Sequence, residues 1–414
     1  MSERADVVIV GSGIAGGGLA AVLARNGLSV LVLERTTEYV DRVRGEWMAP
    51  WGVADAQATG LYDALMAAGG NFNQRFVPYD EVNTPAEAEA NVTPIDGLLP
   101  GVSGALAIGH PTACRTLDRL ATDEGARVVH GAEVREIVAG ASPSVTYTVD
   151  GEEHAVACRL IVGADGRESF VRKSLGIELE RSQDRCHMGG LLIEDAQGWP
   201  ATDFVICTDD DRMLLAFPQI DGKVRLYLGF RSDDKKRLAG HDKAKVFLEA
   251  FRSPSIPDSG RFADATPAGP CAAYPMYDTW TDVVAVEGAV LVGDAAGFSN
   301  PLIGQGLSVA MRDVHLVSDA LLADAEWSPS LFDSYSSERA ERMRRLRFCV
   351  ETFTDARMPL GKAMIDERRR RMQMFTSAEN MDFFMINAAM IVGPELAPPS
   401  AFEPEVRERL LTPA

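Results

Sequence analysis

Four apolar residues running straight into a glycine-punctuated turn constrain this chain more than any other feature. Val7-Val-Ile-Val10 leads into Gly11-Ser-Gly13-Ile-Ala-Gly16. Residues 14–26 then place small and apolar side chains at helical spacing, and Asn26-Gly27 supplies helix C-terminal chemistry. Ser29-Val-Leu-Val-Leu33 is a second continuous apolar run. A buried strand, a helix and a second buried strand in that order predict a βαβ unit on a parallel sheet. The three glycines permit the tight turn, close backbone approach to a pyrophosphate and close helix–strand packing. The helix N-terminus offers free amides and a positive dipole end to phosphates. Glu34 follows Gly16 by 18 residues, at the end of the second strand, where a carboxylate can accept from an adenosine ribose. This context predicts a dinucleotide site. No second G-x-G-x-x-G occurs downstream and the paired redox cysteines of disulfide reductases are missing too, which removes enzymes with separate flavin and nicotinamide domains.

Further along, residues 112–126 read as a helix. Strands are expected near Arg127–His130, Val134–Val138, Ser144–Val149, His154–Ala157 and Arg159–Gly163, with a hairpin turn at Asp150-Gly151. From about 185 to 284 the texture changes to short alternating strands (Gly190–Ile193, Phe204–Cys207, Arg212–Phe217, Lys223–Phe230), with Asp221-Gly222 as a second hairpin signal. That pattern predicts an antiparallel sheet forming a separate module. Residues 285–325 return to strand, glycine turn and long helix, and the tail from about 330 is helical, rich in Arg and Met.

Composition narrows the partners. With 46% hydrophobic and 24% charged residues the 414-residue chain resembles an ordinary globular protein, and no apolar run reaches the roughly 18 residues that a membrane span needs. A net charge of −19 argues against nucleic acid. Six scattered cysteines without CxxC spacing, and histidines without HxxxH pairing, predict reduced thiols, a cytoplasmic location and no metal site. The runs Arg342, Arg344, Arg345, Arg347 and Arg368–Arg371 are expected on a solvated helix face or at an oligomer contact, so the tail either caps a pocket or makes a homodimer.

Two more segments carry a family resemblance. Asp165-Gly166-Arg167-Glu168-Ser169-Phe170-Val171-Arg172 resembles the DG fingerprint of class A (para-hydroxybenzoate hydroxylase-type) FAD-dependent monooxygenases. Val290-Leu-Val-Gly293-Asp294-Ala-Ala resembles their GD fingerprint. The resemblance covers most of residues 1–325. It implies an α/β fold: a discontinuous Rossmann-like FAD-binding domain (1–75, 100–180, 285–330), an inserted antiparallel-sheet substrate domain (76–99, 181–284) and a helical C-terminal region (331–414). The cofactor-binding set it implies is Gly11, Gly13, Ile14, Ala15, Gly16, Glu34, Arg35, Arg44, Arg115, Val134, Asp165, Gly166, Gly293, Asp294, Pro301, Gly304, Gln305, Gly306 and Leu307. Asp294 would bind the ribityl chain of FAD, and Arg42 or Arg44 would lie near the ribityl or pyrophosphate groups. The loop Pro301-Leu302-Ile303-Gly304 would face the isoalloxazine ring, its amides stabilising negative charge there.

The implied reaction is NADH- or NADPH-dependent hydroxylation of an aromatic or polycyclic small molecule by molecular oxygen, through a flavin C4a-hydroperoxide. Met188, Leu192, Phe217, Pro218 and Tyr274 are candidate pocket residues, and no catalytic side chain is assigned. The sequence departs from many aromatic hydroxylases where Gly297 stands for a histidine and Leu307-Ser308 occupies the region of an asparagine. Three alternatives follow. A reductase of isoprenoid double bonds is suggested by Leu214-Leu-Ala-Phe217-Pro218, though the aromatic pair and lysine of that motif are absent. Gly45-Glu46 is similar to a halogenase turn, but residues 1–172 hold no lysine and no WxWxIP occurs. A flavin-binding protein without turnover is disfavoured by the ring-facing loop.

Overall fold

Strand Val7–Val10 is buried along its length and sits inside a six-stranded sheet. The order is Ala285–Val286, Ala289–Leu291, Leu160–Gly163, Val7–Val10, Val30–Glu34, Arg127–His130. All neighbours are parallel except the first pair. Each fully buried Val or Ile here stabilises the sheet by roughly 1.5–3 kcal/mol through removal of apolar surface from water. The structure is a computed structural model that describes residues 3–412 apart from Gln197 and Pro329.

Register explains how distant segments meet. Val10 lies level with Leu33 and with Gly163, and Gly163 lies level with Leu291. The three glycine-bearing segments therefore leave the same sheet edge side by side. Helix Ile14–Arg25 follows the first of them and ends at Asn26, with Gly27 at φ +86°. Gly17 brings it close to helix His110–Asp123: a Cβ there would lie 3.2 Å from the Leu117 Cβ.

The turns read from sequence form as expected. Asp150 and Gly151 (φ +52° and +82°) join Ser144–Val149 to Glu152–Ala157. Asp221 and Gly222 (φ +58° and +69°) join Arg212–Pro218 to Val224–Arg231. Two successive left-handed residues match the twist of antiparallel strands.

A larger sheet runs in the order Thr266–Pro267, Cys186–Glu194, Val224–Arg231, Arg212–Pro218, Asp203–Asp209, Arg75–Val77, Thr93–Pro94, with Ala272–Met276 also pairing with Cys186–Glu194. Its face bearing Met188, Phe204 and Phe217 packs in one apolar cluster with the C-terminal helices Asp333–Arg357, Ile365–Thr376, Met381–Val392 and Pro404–Leu411. The opposite face packs with Phe247, Phe251 and Phe262. The architecture is thus α/β with a helical C-terminal region. Among the described residues no helix is long and apolar enough to cross a membrane.

Candidate active site

The three segments interlock through glycines that tolerate no side chain. Gly11 (φ +99°) would place a Cβ 2.5 Å from the Ala164 carbonyl oxygen, and Gly16 would place one 1.9 Å from the Gly11 oxygen. A Cβ on Gly293 would lie 3.1 Å from that of Ala15. Gly13 and Gly306 differ: a Cβ on either meets nothing within 4 Å. These two glycines border open space at the starts of helices Ile14–Arg25 and Gly306–Ala323, and among the described residues no side chain caps either N-terminus. Free amides beside open space suit a phosphate at the first helix and an electron-rich ring edge at the second. Ile14 and Ala15 occupy the first turn and are buried.

Glu34 ends its strand with a buried carboxylate. Oε2 accepts from the Ser12 amide at 2.7 Å, and Oε1 accepts from the Thr36 amide and hydroxyl at 2.8 and 2.7 Å. Its orientation is fixed, and its spare lone pairs are available to a ribose. Beside it lies a polar cluster that the sequence did not reveal. Asp118 Oδ1 accepts from the Ser12 and Tyr39 hydroxyls at 2.6 and 2.9 Å, and His130 lies 3.2 Å from Asp118 Oδ2. Burial, followed by the facing carboxylates, pushes the Tyr39 phenol well above its ordinary range. Arg35 and Arg115 are exposed, and Arg115 donates to the Tyr39 carbonyl and the Thr112 hydroxyl. Half-buried Val134 follows Ala132, whose amide donates to the Glu34 carbonyl.

Asp165 works inside its own loop: it accepts from the amides of Phe170 (2.6 Å) and Val171 (3.1 Å) and from the Ser169 hydroxyl. Gly166 follows at φ +77°. This loop presents Arg167, which donates to Asp294 at 3.1 Å and stacks over Phe298. Half-buried Arg44 also faces this pair; burial and the nearby Arg167 lower its pKa, while Asp294 opposes them. Two guanidiniums around one partly exposed carboxylate create a polar, net positive lining.

The loop Pro301–Gly304 is built by close packing. Gly304 (φ +66°) lies against Trp47, whose ring would be 3.1 Å from a Cβ there. The Pro301 carbonyl accepts the Gly304 amide, and Asn300 caps Leu302. Leu302 and Ile303 are buried. Gln305 turns its side chain inward, accepting from the Trp51 indole at 2.9 Å and donating to the Ile303 and Met390 carbonyls. Only the backbone of Gln305 is left for a ligand. Leu307 is buried, and Ser308 accepts from the Ala49 amide at 2.9 Å. Gly52 crosses at this point so tightly that a Cβ would lie 2.5 Å from the Ser308 Cα. That crossing accounts for a small residue at position 308. Gly297 (φ +100°) likewise would drive a Cβ to 2.5 Å from the Thr279 carbonyl, so a histidine does not fit.

The basic run beginning at Arg342 is not simply a solvated face. Arg342 is buried and pairs with Asp313 at 2.7 Å, as Arg339 does at 3.1 Å. Arg339 also donates to the carbonyls of Gly293, Ala296 and Gly297, bracing the third segment from beneath. Arg345 binds the Pro394 and Ala397 carbonyls, and Arg347 stacks over Trp280. Arg344 alone of the four keeps to an exposed pair, with Glu341. In the second run Arg368 is buried against Glu81.

Glu46 and Arg225 form a second buried pair, where the large sheet meets the segment after Asp41. Arg225 Nε lies 2.8 Å from Glu46 Oε2, Nη2 lies 2.7 Å from Asp41, and Gln219 and the His110 amide also donate to Glu46. Next to the pair stands an aromatic wall: Trp47 lies 5.6 Å from Phe204 and 6.0 Å from Phe217, and Phe76 stacks on Phe204 at 5.3 Å. Of the expected pocket residues, Met188 and Phe217 join this cluster. Leu192 is half-buried, Pro218 accepts from Asn71 and Asn73 through its carbonyl, and exposed Tyr274 donates to the Arg42 carbonyl. The six cysteines are free and buried, and no group of residues suited to a metal ion occurs among the described residues.

The family profile described as FAD binding domain matches residues 4–347, and the chain belongs to that family, the class A flavin monooxygenases. Squalene monooxygenase of Rattus norvegicus is 26% identical over 381 residues, covering 88% of this chain and 63% of the relative, so the chain spans less than two thirds of that protein. Menaquinone reductase of Mycolicibacterium smegmatis is 24% identical over 364 residues, covering 84% of each chain. Among solved structures, Pseudomonas aeruginosa PqsL in complex with 2-aminobenzoylacetate superposes with a TM-score of 0.73 at 19% identity, covering 86% of this chain and 97% of its own. The flavin-dependent brominase Bmp2 gives 0.75 at 17% identity, covering 99% and 98%. At these identities the structural likeness establishes the fold.

Proposed function

We propose that the chain binds FAD and uses electrons from NADH or NADPH to hydroxylate an aromatic or polycyclic small molecule with molecular oxygen. Gly11, Gly13, Gly16 and the first turn at Ile14 and Ala15 would hold the pyrophosphate. Glu34, with Arg35, Arg115 and Val134 nearby, would hold the adenosine side. Asp165 and Gly166 would shape the loop beside the ribityl chain, which Asp294 and Arg44 would hold, with Gly293 keeping that turn close to Ala15. Open space at Gly13 and Gly306, beside uncapped helix starts, supports the fit. When bound, FAD supplies electron transfer and oxygen activation; the protein positions substrate, excludes water and balances charge.

The observation that carries the substrate reading is the contact between Trp47 and Gly304, which brings the aromatic wall up to the ring-facing loop. A flat apolar substrate laid on Phe204, Phe217 and Trp47 would have one edge at Pro301–Gly304. Backbone amides at the start of helix Gly306–Ala323 would offset negative charge on the ring, with Leu307 and the backbone of Gln305 closing its edge. The test follows NADH and NADPH oxidation and oxygen uptake by FAD-loaded protein across phenolic and polycyclic compounds. Substrate-stimulated oxidation coupled to oxygen uptake supports the proposal; no oxygen uptake with any of them overturns it. A second reading, reduction of an isoprenoid double bond, is favoured by the match to menaquinone reductase over 84% of both chains. Anaerobic reduction of a prenyl quinone would select it.

A further inference from the structure

The last residue of helix Asp333–Arg357 has surroundings unlike those of the other deeply buried arginines. Arg339 and Arg342 meet Asp313, Arg225 meets Glu46 and Asp41, Arg368 meets Glu81, and Arg172 meets the carbonyls of Arg167 and Ala295. Arg357 is 4% exposed, yet among the described residues its side chain makes no ion pair and no hydrogen bond, and its Nε is buried without an acceptor. The nearby acid, Asp80, is turned toward the amides of Val82 and Asn83. A cation at a helix C-terminus is favoured by the dipole, but the dipole gives its N–H groups no acceptor. Burial lowers the guanidinium to about 10, so it stays charged at neutral pH.

What Arg357 does touch is aromatic. Its guanidinium carbon lies 5.9 Å from the ring centre of Phe76 and 5.3 Å from that of Phe353. Phe76 stacks on Phe204 at 5.3 Å, Phe204 lies 5.6 Å from Trp47, and Trp47 packs on Gly304. One continuous aromatic path thus runs from the ring-facing loop to an unpaired buried cation. Burying a charge whose nearby acid, Asp80, makes no hydrogen bond or ion pair with it is unfavourable, so the arrangement suits a site where a ligand brings a directly paired anion.

We propose that Arg357 is a specificity-determining residue that pairs with a carboxylate on the substrate. The substrate is then a flat apolar acid, its body along Phe76, Phe204 and Trp47 and its uncharged end at Pro301–Gly304. The placing of the reacting end rests on the proposed monooxygenase function; the recognition of an anion stands without it.

The probe is 4-(1-pyrenyl)butyrate against its methyl ester, titrated by calorimetry into full-length FAD-loaded protein. The acid is expected to bind at least about tenfold more tightly than the ester, the increment of one charge-assisted pair. Arg357→Gln should abolish this preference while leaving ester affinity unchanged, and Arg357→Lys should keep part of it. The melting temperature of Arg357→Gln should equal or exceed that of the parent protein, because no internal hydrogen bond or ion pair is lost and the cost of a buried unpaired charge is removed, which outweighs the ring contacts. Equal binding of acid and ester by the parent, binding of neither, a preference retained in Arg357→Gln, or a lower melting temperature with flavin loss in that variant would each overturn the proposal. An Arg357-dependent preference without oxygen uptake in any assay would support the anion site and remove the monooxygenase reading.

Discussion

Asp313 accepts the amide hydrogen of Gly293 at 2.8 Å, joining the middle of a helix to the turn where the third glycine segment begins. The same carboxylate receives Arg339 and Arg342 and is completely buried. Burial opposes its charge, but the two guanidiniums hold its carboxyl below the usual range. Arg339 then passes the connection on to three carbonyls of the turn.

Asp313→Ala leaves two buried guanidiniums without their shared anion. Removing one partner of a buried pair costs about 3–5 kcal/mol. Urea unfolding should show a loss of that size together with release of FAD; an unchanged midpoint would refute the bracing role.

Two neighbouring glycines should fail in different ways. Gly16→Ala forces a methyl group to 1.9 Å from the Gly11 oxygen and should abolish folding or the whole nucleotide turn. Gly13→Ala adds a methyl to open space at φ −77°, so the melting temperature of FAD-free protein should stay unchanged. FAD affinity should nevertheless fall at least about tenfold, as expected when about 1.4 kcal/mol or more of pyrophosphate contact is lost. Thermal melting alongside flavin titration separates the two, and full FAD affinity in Gly13→Ala would place the phosphates elsewhere.

Asp278 should make stability depend on pH. Burial raises its carboxyl to about 6, although the Asn300 amide at 2.8 Å favours the charged form. The fold therefore holds the proton more tightly than the unfolded chain does. That contribution is complete below about pH 4 and is lost as pH rises through 6, with an upper bound of about 3 kcal/mol. Asp278→Asn should melt near the parent at pH 4 and above it at pH 8. A difference independent of pH would exclude this titration.

Trp47 carries a buried indole N–H with no acceptor among the described residues. Trp47→Phe removes that unsatisfied donor, worth about 1–3 kcal/mol, and offsets much of the apolar contact it gives up. The net change in unfolding free energy should stay below about 1 kcal/mol, against about 3–5 for Trp47→Ala. A large loss in Trp47→Phe would show that the N–H is engaged.

Legibility followed the range of each constraint. Gly11 and Gly16 are legible because the turn needs a left-handed residue at the first and leaves no room for a Cβ beside the Gly11 oxygen at the second, both within a few residues. Asp221-Gly222 is legible because a tight hairpin needs two left-handed residues. Gly297 could be noticed but not explained: the atom that forbids a side chain there belongs to Thr279, on another segment. Around Arg342 the interleaved Glu338 and Glu341 read as a solvated or oligomer face, whereas its anchoring partner, Asp313, lies on another helix. Gln305 lies within the ring-facing motif, but nothing local indicates that its side chain turns away toward Trp51. Arg357 gave no signal in sequence, since being unpaired is a property of everything around it.

The brace beneath the third segment has a consequence for the order of events in the cell. Gly11–Gly16 and Glu34 leave the ribosome early, but the donors that fix Gly293, Ala296 and Gly297 arrive only with residue 339. A nascent chain halted before that helix would carry the Gly11–Gly16 turn and Glu34 without the donors that hold the Gly293–Gly297 turn. Stable capture of a cofactor there is therefore expected only after residue 339 has emerged.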